Sequence, residues 1–164
     1  MSSPEIPGSQ RIAIGQRAPE FSLDATGGRQ ISLGEFQGKQ AVVLYFYPKD
    51  DTPGCTTEAC AFRDLSARFA EAGATILGIS PDTVASHEAF AAKHALPFPL
   101  LADPDHAVAA AYGVYGEKTL YGKQSMGIIR STFVIDRGGI VRKIYSQVKV
   151  ADHAEEVLAF LGTL

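Results

Sequence analysis

The sequence predicts an α/β fold, a central mixed sheet flanked by helices, and three observations predict it. Two almost continuous apolar runs, at 41–47 and 75–80, have the length and character of strands covered on both faces. An amphipathic helical pattern lies between them, so together they make a βαβ unit with parallel strands. A later pair of runs, at 131–136 and 140–145, is joined through Arg137-Gly138-Gly139, a hairpin signal, and leads into a last helical pattern.

Taken in order, the apolar/polar alternation of Phe21-Ser22-Leu23 and Ile31-Ser32-Leu33 around Thr26-Gly27-Gly28 predicts a small N-terminal hairpin. Residues 34–38 have room for a single helical turn. The strand at 41–47 stops at Pro48, and the next helix is expected from about Cys55 to Ala72, closed by Gly73. Along it Cys55, Phe62 and Phe69 recur every seven residues, with Leu65 close to the same side, and this stripe faces the core. After the second strand, Asp82 is expected to cap a helix that runs through His94 and cannot pass Pro97 and Pro99. Asp103-Pro104-Asp105 opens another helix, ending near Tyr112-Gly113. Residues 113–127, with four glycines, read as an irregular loop. Asp152 caps a terminal helix through Leu161. A βαβ unit followed by helix, antiparallel hairpin and helix is the thioredoxin-like plan, here with an N-terminal extension. Residues 11–164 are read as one domain and 1–10, polar and broken by Pro4, Pro7 and Gly8, as a flexible tail rather than a secretory signal.

Composition narrows the function. A chain of 164 residues can bury most of its apolar surface in one core. A net charge of −3 and a pI near 5.8, with no basic stripe, argue against nucleic acid, and no run is apolar and long enough for a membrane span. Two cysteines are too few for a disulfide scaffold or a cysteine-rich zinc site, and the reading is of a cytoplasmic protein. Zinc would need the four histidines. His87 and His94 share a helical face but stand seven apart, and all four histidines read as solvated or capping residues, so neither metal nor cofactor is expected.

Both cysteines fall in one string, YPKDDTPGCTTEAC, at 47–60. In an open α/β sheet the working site lies at the carboxyl ends of the strands, where Cys55 falls. A helix N-terminus offers unpaired N–H groups and partial positive charge, which favour the reactive thiolate. Alone, Cys55 would read as a small buried hydrophobe. Beside Pro48 and Thr52 it reads as a nucleophile. Thr52 has a hydroxyl to donate to the thiolate and lone pairs to accept a further hydrogen bond. Pro48 ends the strand, holds Tyr47 extended and shields the loop from water. Asp50 and Asp51 would oppose the thiolate if they stood close to it, but little if they face water. Opposite charges in contact at 4 Å interact by about 4 kcal/mol at an effective dielectric of 20, against roughly 0.4 kcal/mol at 10 Å in water, so an arginine touching Cys55 outweighs them.

The spacing Pro48-x-x-x-Thr52-x-x-Cys55 resembles the active-site motif of the peroxiredoxins, and the full string resembles the peroxiredoxin Q, or bacterioferritin comigratory protein, subfamily. The likeness runs from Gly15 to the C-terminus. It implies a thiol peroxidase in which Cys55 attacks hydrogen peroxide or an organic hydroperoxide and Cys60 resolves the product as an intramolecular disulfide. It further implies reduction by thioredoxin (or glutaredoxin) and a monomer. The subfamily's arginine matches Arg130, which opens the strand at 131 in apolar surroundings where an unpaired cation is costly. Glu58 matches a glutamate that orients this arginine, although an acid in a first helical turn already has a dipole reason to be there. Cys60 lies about 160° from Phe62 around the helix, away from the core stripe. Five residues of helix separate the Cα atoms of Cys55 and Cys60 by roughly 8.6 Å, beyond the 7 Å or so that a disulfide allows, so oxidation requires local unwinding between about 52 and 61. Two other classes share the scaffold. A thiol–disulfide oxidoreductase would normally carry Cys-x-x-Cys, which is absent, and a redox sensor or holdase would react once and stop.

Overall fold

A computed structural model describes residues 12–120 and 122–164. The stretch read as a tail, 1–10, lies outside the described residues. The N-terminal hairpin is β1 (Ser22–Ala25) and β2 (Arg29–Ser32), paired antiparallel with Leu23 opposite Ile31. A 3₁₀ turn at Leu33–Phe36 follows, and the Glu35 carboxylate accepts the Ser32 N–H at its start. The two apolar runs become β3 (Ala41–Phe46) and β4 (Ala74–Ser80), parallel, with Val43 opposite Ile76. β5 (Leu100–Ala102) continues the parallel set, while β8 (Ser131–Ile135) lies antiparallel to β3 and β9 (Val141–Ser146) antiparallel to β8. The resulting sheet has the order β2-β1-β5-β4-β3-β8-β9. It is mixed and central, as the sequence predicts.

The period-two alternation of β3 divides the core. Val42, Leu44 and Phe46 join Ile31, Leu77, Ile79, Phe133 and Tyr112 on one face. Val43, Tyr45 and Tyr47 join Cys55, Phe62, Phe69, Phe90 and Leu161 on the other. Every residue of β3 is buried, which is what a strand covered on both faces requires.

Four expectations need correction. The helix expected over 55–72 is two, α1 (Pro53–Asp64) and α2 (Ser66–Glu71), broken at Leu65 (φ −103°, ψ 4°). The break accompanies a direct ring contact of Phe62 and Phe69 at 5.7 Å, where seven residues of straight helix would separate the Cα atoms by about 10.5 Å. The next helix, α3 (Val84–His94), is capped by Thr83, whose Oγ1 accepts the Ser86 N–H, because the Asp82 carboxylate is taken by the Asp50 N–H and the Ser80 hydroxyl. Residues 113–127 are no irregular loop. After the short α4 (Ala107–Ala111) they form the ribbon β6 (Tyr115–Leu120) and β7 (Lys123–Ile128), in which Gly116 faces Gly127 and so hides the alternation. His87 and His153 are buried and hydrogen-bonded, not solvated. The last helix, α5 (His153–Leu161), begins as expected after Asp152, though without a side-chain cap.

Gly78 shows how tightly β3 and β4 are seated. A Cβ there would lie 2.9 Å from Leu100 Cδ2 and 2.9 Å from Tyr45 Cζ. Gly78→Ala is therefore expected to lose about 1–3 kcal/mol of stability through overpacking, read from urea unfolding midpoints.

Candidate active site

β3 delivers the chain to the site and α1 begins it. Pro48 follows the buried Tyr47, and the loop turns through Asp51 in the left-handed region (φ 60°). Thr52 is extended (φ −91°, ψ 155°) and occupies the N-cap of α1, with Pro53 first in the helix, a position where its missing N–H costs nothing. Cys55 is thus the third helical residue rather than the first. It sits in the turn whose N–H groups have no intrahelical partner.

Arg130 comes from the other side of β3. Phe46, the last residue of β3, is opposite Ser131, the first of β8, so Arg130 emerges beside the loop. Its Nη2 donates to Cys55 Sγ at 3.2 Å and its Nη1 to Glu58 Oε1 at 2.6 Å. Gly54 makes the approach possible: a Cβ there would stand 3.2 Å from Arg130 Nη2. Cys55 is only 1% exposed, Glu58 is equally buried, and both cysteines are free. Cys60, half-buried on the same unbroken helix, is not within bonding reach of Cys55.

The structure thus joins Cys55, Glu58 and Arg130 and holds Pro48 and Thr52 at the loop. Thr52 differs from expectation in one respect. Its hydroxyl donates to the Lys49 carbonyl at 2.9 Å and not to the sulfur, which leaves its oxygen as an acceptor. Asp50 does not face water either: it is buried, and its carboxylate takes the Tyr47 hydroxyl and His87 Nδ1. Asp51 is exposed, and Lys93 and His94 hold its carboxyl below the usual range. Among the described residues, Asp50, Asp82 and His87 bring three possible metal-ligand atoms within 4.8 Å, each already engaged by protein partners.

Burial shapes the charges. It pushes the Glu58 carboxyl up to about 7, outweighing the opposing pull of Arg130. Among the described residues, Glu58 Oε2 and the buried Tyr45 hydroxyl have no hydrogen-bond partner. Sequence reasoning missed His153, whose Nε2 lies 2.8 Å from Thr132 Oγ1 and whose ring meets Phe62 edge-on. Burial, then the charge of Arg130, lowers it to about 4. Lys118 was missed too. Its Nζ donates to the Ile128 carbonyl, it lines a surface pocket of about 400 Å³ with Pro48 and Met126, and burial and Arg130 hold it below the usual lysine range. Neither residue has a local spacing signal, because their partners arrive from other strands.

A half-buried guanidinium against a helix-start sulfur can hold that sulfur ready for attack and receive negative charge beside it, which fits a thiol-dependent peroxidase on a thioredoxin-like frame. Comparison with known proteins agrees. Residues 14–144 match the AhpC/TSA family. The chain is 51% identical over 150 residues to the peroxiredoxin Bcp of Bacillus subtilis, spanning 92% of this chain and 95% of that protein. Its fold is similar to a Xylella fastidiosa PrxQ mutant (TM-score 0.88, 40% identity, 94% of this chain and 98% of that one). It is also similar to the bacterioferritin comigratory protein of Xanthomonas campestris, a structure concerned with alkyl peroxide reduction (TM-score 0.83, 47% identity, 87% and 90%). The chain belongs to the AhpC/TSA family, as a peroxiredoxin of the peroxiredoxin Q type. Among the described residues no helix is long and apolar enough to cross a membrane.

The two shifted groups act oppositely on stability. Glu58, raised from 4.5 to about 7, binds its proton more tightly folded than unfolded, so its contribution is complete below 4.5 and is lost as pH rises through about 7. His153, lowered from 6.5 to about 4, contributes stability above 6.5 that is lost as pH falls toward 4. Glu58→Gln should therefore lose stability more steeply on acidification through this window than the parent, and His153→Leu less steeply. Urea midpoints measured across that pH range check both.

Proposed function

We propose that Cys55 is the peroxidatic cysteine and Cys60 its resolving partner. The observation that carries the reading is the Arg130 guanidinium bridging Cys55 Sγ and Glu58 at the start of α1. The Cys55 thiolate attacks the terminal oxygen of a hydroperoxide, the O–O bond breaks, and the departing oxygen takes a proton to leave as water or an alcohol. Arg130 and the first-turn N–H groups stabilise the charge that moves across this bond. Thr52 accepts the peroxide O–H through the oxygen its bond to Lys49 leaves free, Pro48 shields the loop, and Glu58 holds Arg130 in place. Cys55 becomes a sulfenic acid, and the Cys60 thiol condenses with it to give a disulfide and water.

That second step requires the first turns of α1 to unwind. A dithiol protein, thioredoxin or glutaredoxin, then reduces the disulfide by exchange. Both hydrogen peroxide and organic hydroperoxides are substrates in this reading, supported for the latter by the relative named for alkyl peroxide reduction. The chain acts as a cytoplasmic monomer, with residues 11–164 as one domain.

Cys55→Ser should abolish peroxide consumption, and Cys60→Ser should complete one turnover and then stop in a thioredoxin-coupled assay. Arg130→Met should lower the rate of Cys55 oxidation by on the order of 10²–10³, the usual loss for one charge-stabilising donor. Intact mass and thiol counting after one equivalent of peroxide should show one intramolecular disulfide. Amide exchange in the oxidised protein should show residues 56–59 unprotected, and a disulfide formed with that segment still protected would sink the unwinding step.

A further inference from the structure

The buried network beneath the loop takes no part in these steps. His87 on α3 is 0% exposed. Its Nε2 lies 2.9 Å from the Leu101 carbonyl, which only accepts, so that nitrogen carries a proton. Its Nδ1 lies 2.7 Å from Asp50 Oδ2, with one proton between them. Asp50 takes two further donors, the Tyr47 hydroxyl at 2.6 Å and the Ser86 hydroxyl at 2.8 Å, and its own N–H donates to Asp82 at 2.8 Å. Side chain and backbone of one loop residue are thereby tied to the ends of β3 and β4 and to α3. From Asp50 the hold passes along the chain. The Thr52 hydroxyl returns to the Lys49 carbonyl, and the Thr52 carbonyl accepts the Thr56 N–H at 2.8 Å, the first bond of α1 around Cys55.

We propose that His87 is a positioning residue for peroxide reduction: through Asp50 it latches residues 48–52, and so keeps the first turn of α1 wound with Cys55 against Arg130. The inference rests on the reading of Cys55 as the peroxidatic sulfur. Its consequence has a sign. The wound state serves the attack on peroxide, whereas disulfide formation needs the unwound state. Loosening the latch should slow the first step and speed the second, whereas a general loss of stability elsewhere should do neither.

The chain has no tryptophan, so the test is quenched flow with hydrogen peroxide, trapping of sulfenic acid and intact mass. His87→Leu should slow Cys55 oxidation about tenfold and accelerate disulfide formation several-fold, the order expected for one lost buried hydrogen bond. His87→Asn, which keeps a donor near the place of Nδ1, should restore both steps to within about twofold of the parent. Ser86→Ala, a half-buried change that the fold tolerates, should move both rates in the directions of His87→Leu by less. Leu161→Ala, at the far end of α5, should lower stability and leave both rates unchanged. Amide exchange of the reduced His87→Leu protein should rise across residues 56–59 and not across 66–71. The latch is overturned if His87→Leu and Ser86→Ala change both steps in the same direction or neither, if Leu161→Ala reproduces the split, or if exchange at 56–59 is unaltered. Failure of the parent itself to form a sulfenic acid would instead overturn the assignment of Cys55, and the exchange measurement would still decide the latch.

Discussion

A single guanidinium serving two acceptors governs this site. A cation in apolar surroundings is costly unless paired. Glu58 supplies the pair through one oxygen and leaves Nη2 of Arg130 free to face the sulfur. The arrangement is not electrostatically idle. Burial raises Glu58 to about 7, so near neutral pH one proton decides whether Arg130 faces a carboxylate or a neutral carboxyl at Glu58. The second oxygen of Glu58, without a hydrogen-bond partner among the described residues, sharpens that balance.

The sheet explains why the guanidinium arrives there. β3 has a parallel neighbour on one side and an antiparallel one on the other. Parallel pairing with β4 leaves the carboxyl end of β3 open for the loop to α1, the usual location of a site in such sheets. Antiparallel pairing with β8 places the start of that strand at the same end, with Arg130 one residue before it. His153 is held neutral by burial and by the charge of Arg130, so its hydrogen-bonded ring adds no second positive charge. Fold and charge thus converge on one sulfur from two chain directions.

Much of this was legible in the sequence wherever the signal was local. The runs at 41–47 and 75–80, the Gly138-Gly139 hairpin and the Cys55–Phe62–Phe69 stripe each declare themselves within a few residues. What escaped reading depends on distant partners. His87 is 37 residues from Asp50 and 14 from Leu101, and His153 is 21 from Thr132, so no spacing announces that they are buried. The break at Leu65 involves neither glycine nor proline. The exchange of cap from Asp82 to Thr83 is a choice between adjacent residues of similar capping strength, made by the loop's claim on Asp82. Cys55 and Arg130 were found because a motif marked them, whereas the geometry that joins them could only come from the register of β3 with β8.

The start of α1 must satisfy opposed demands, and its composition bears on how it does so. Winding holds Cys55 at Arg130, and in the proposed cycle unwinding brings it to Cys60. Gly54, Thr56 and Thr57 are poor helix formers, with glycine costing about 1 kcal/mol relative to alanine in a helix interior. The Thr57 hydroxyl bonds back to the Pro53 carbonyl at 2.9 Å, a local competitor of the helix ladder. A segment of this kind is held wound less by propensity than by tertiary contacts: Arg130 on the sulfur, Glu58 on Arg130, and the Asp50 cluster behind. In the proposed cycle the chemistry itself cancels one of them. Converting a thiolate to a neutral sulfenic acid removes the charge that Arg130 faces, while the Arg130–Glu58 pair persists one helical turn further on. The hold is therefore weakened at Cys55, inside the segment that has to move, so the oxidant both reacts with Cys55 and loosens the turn that carries it.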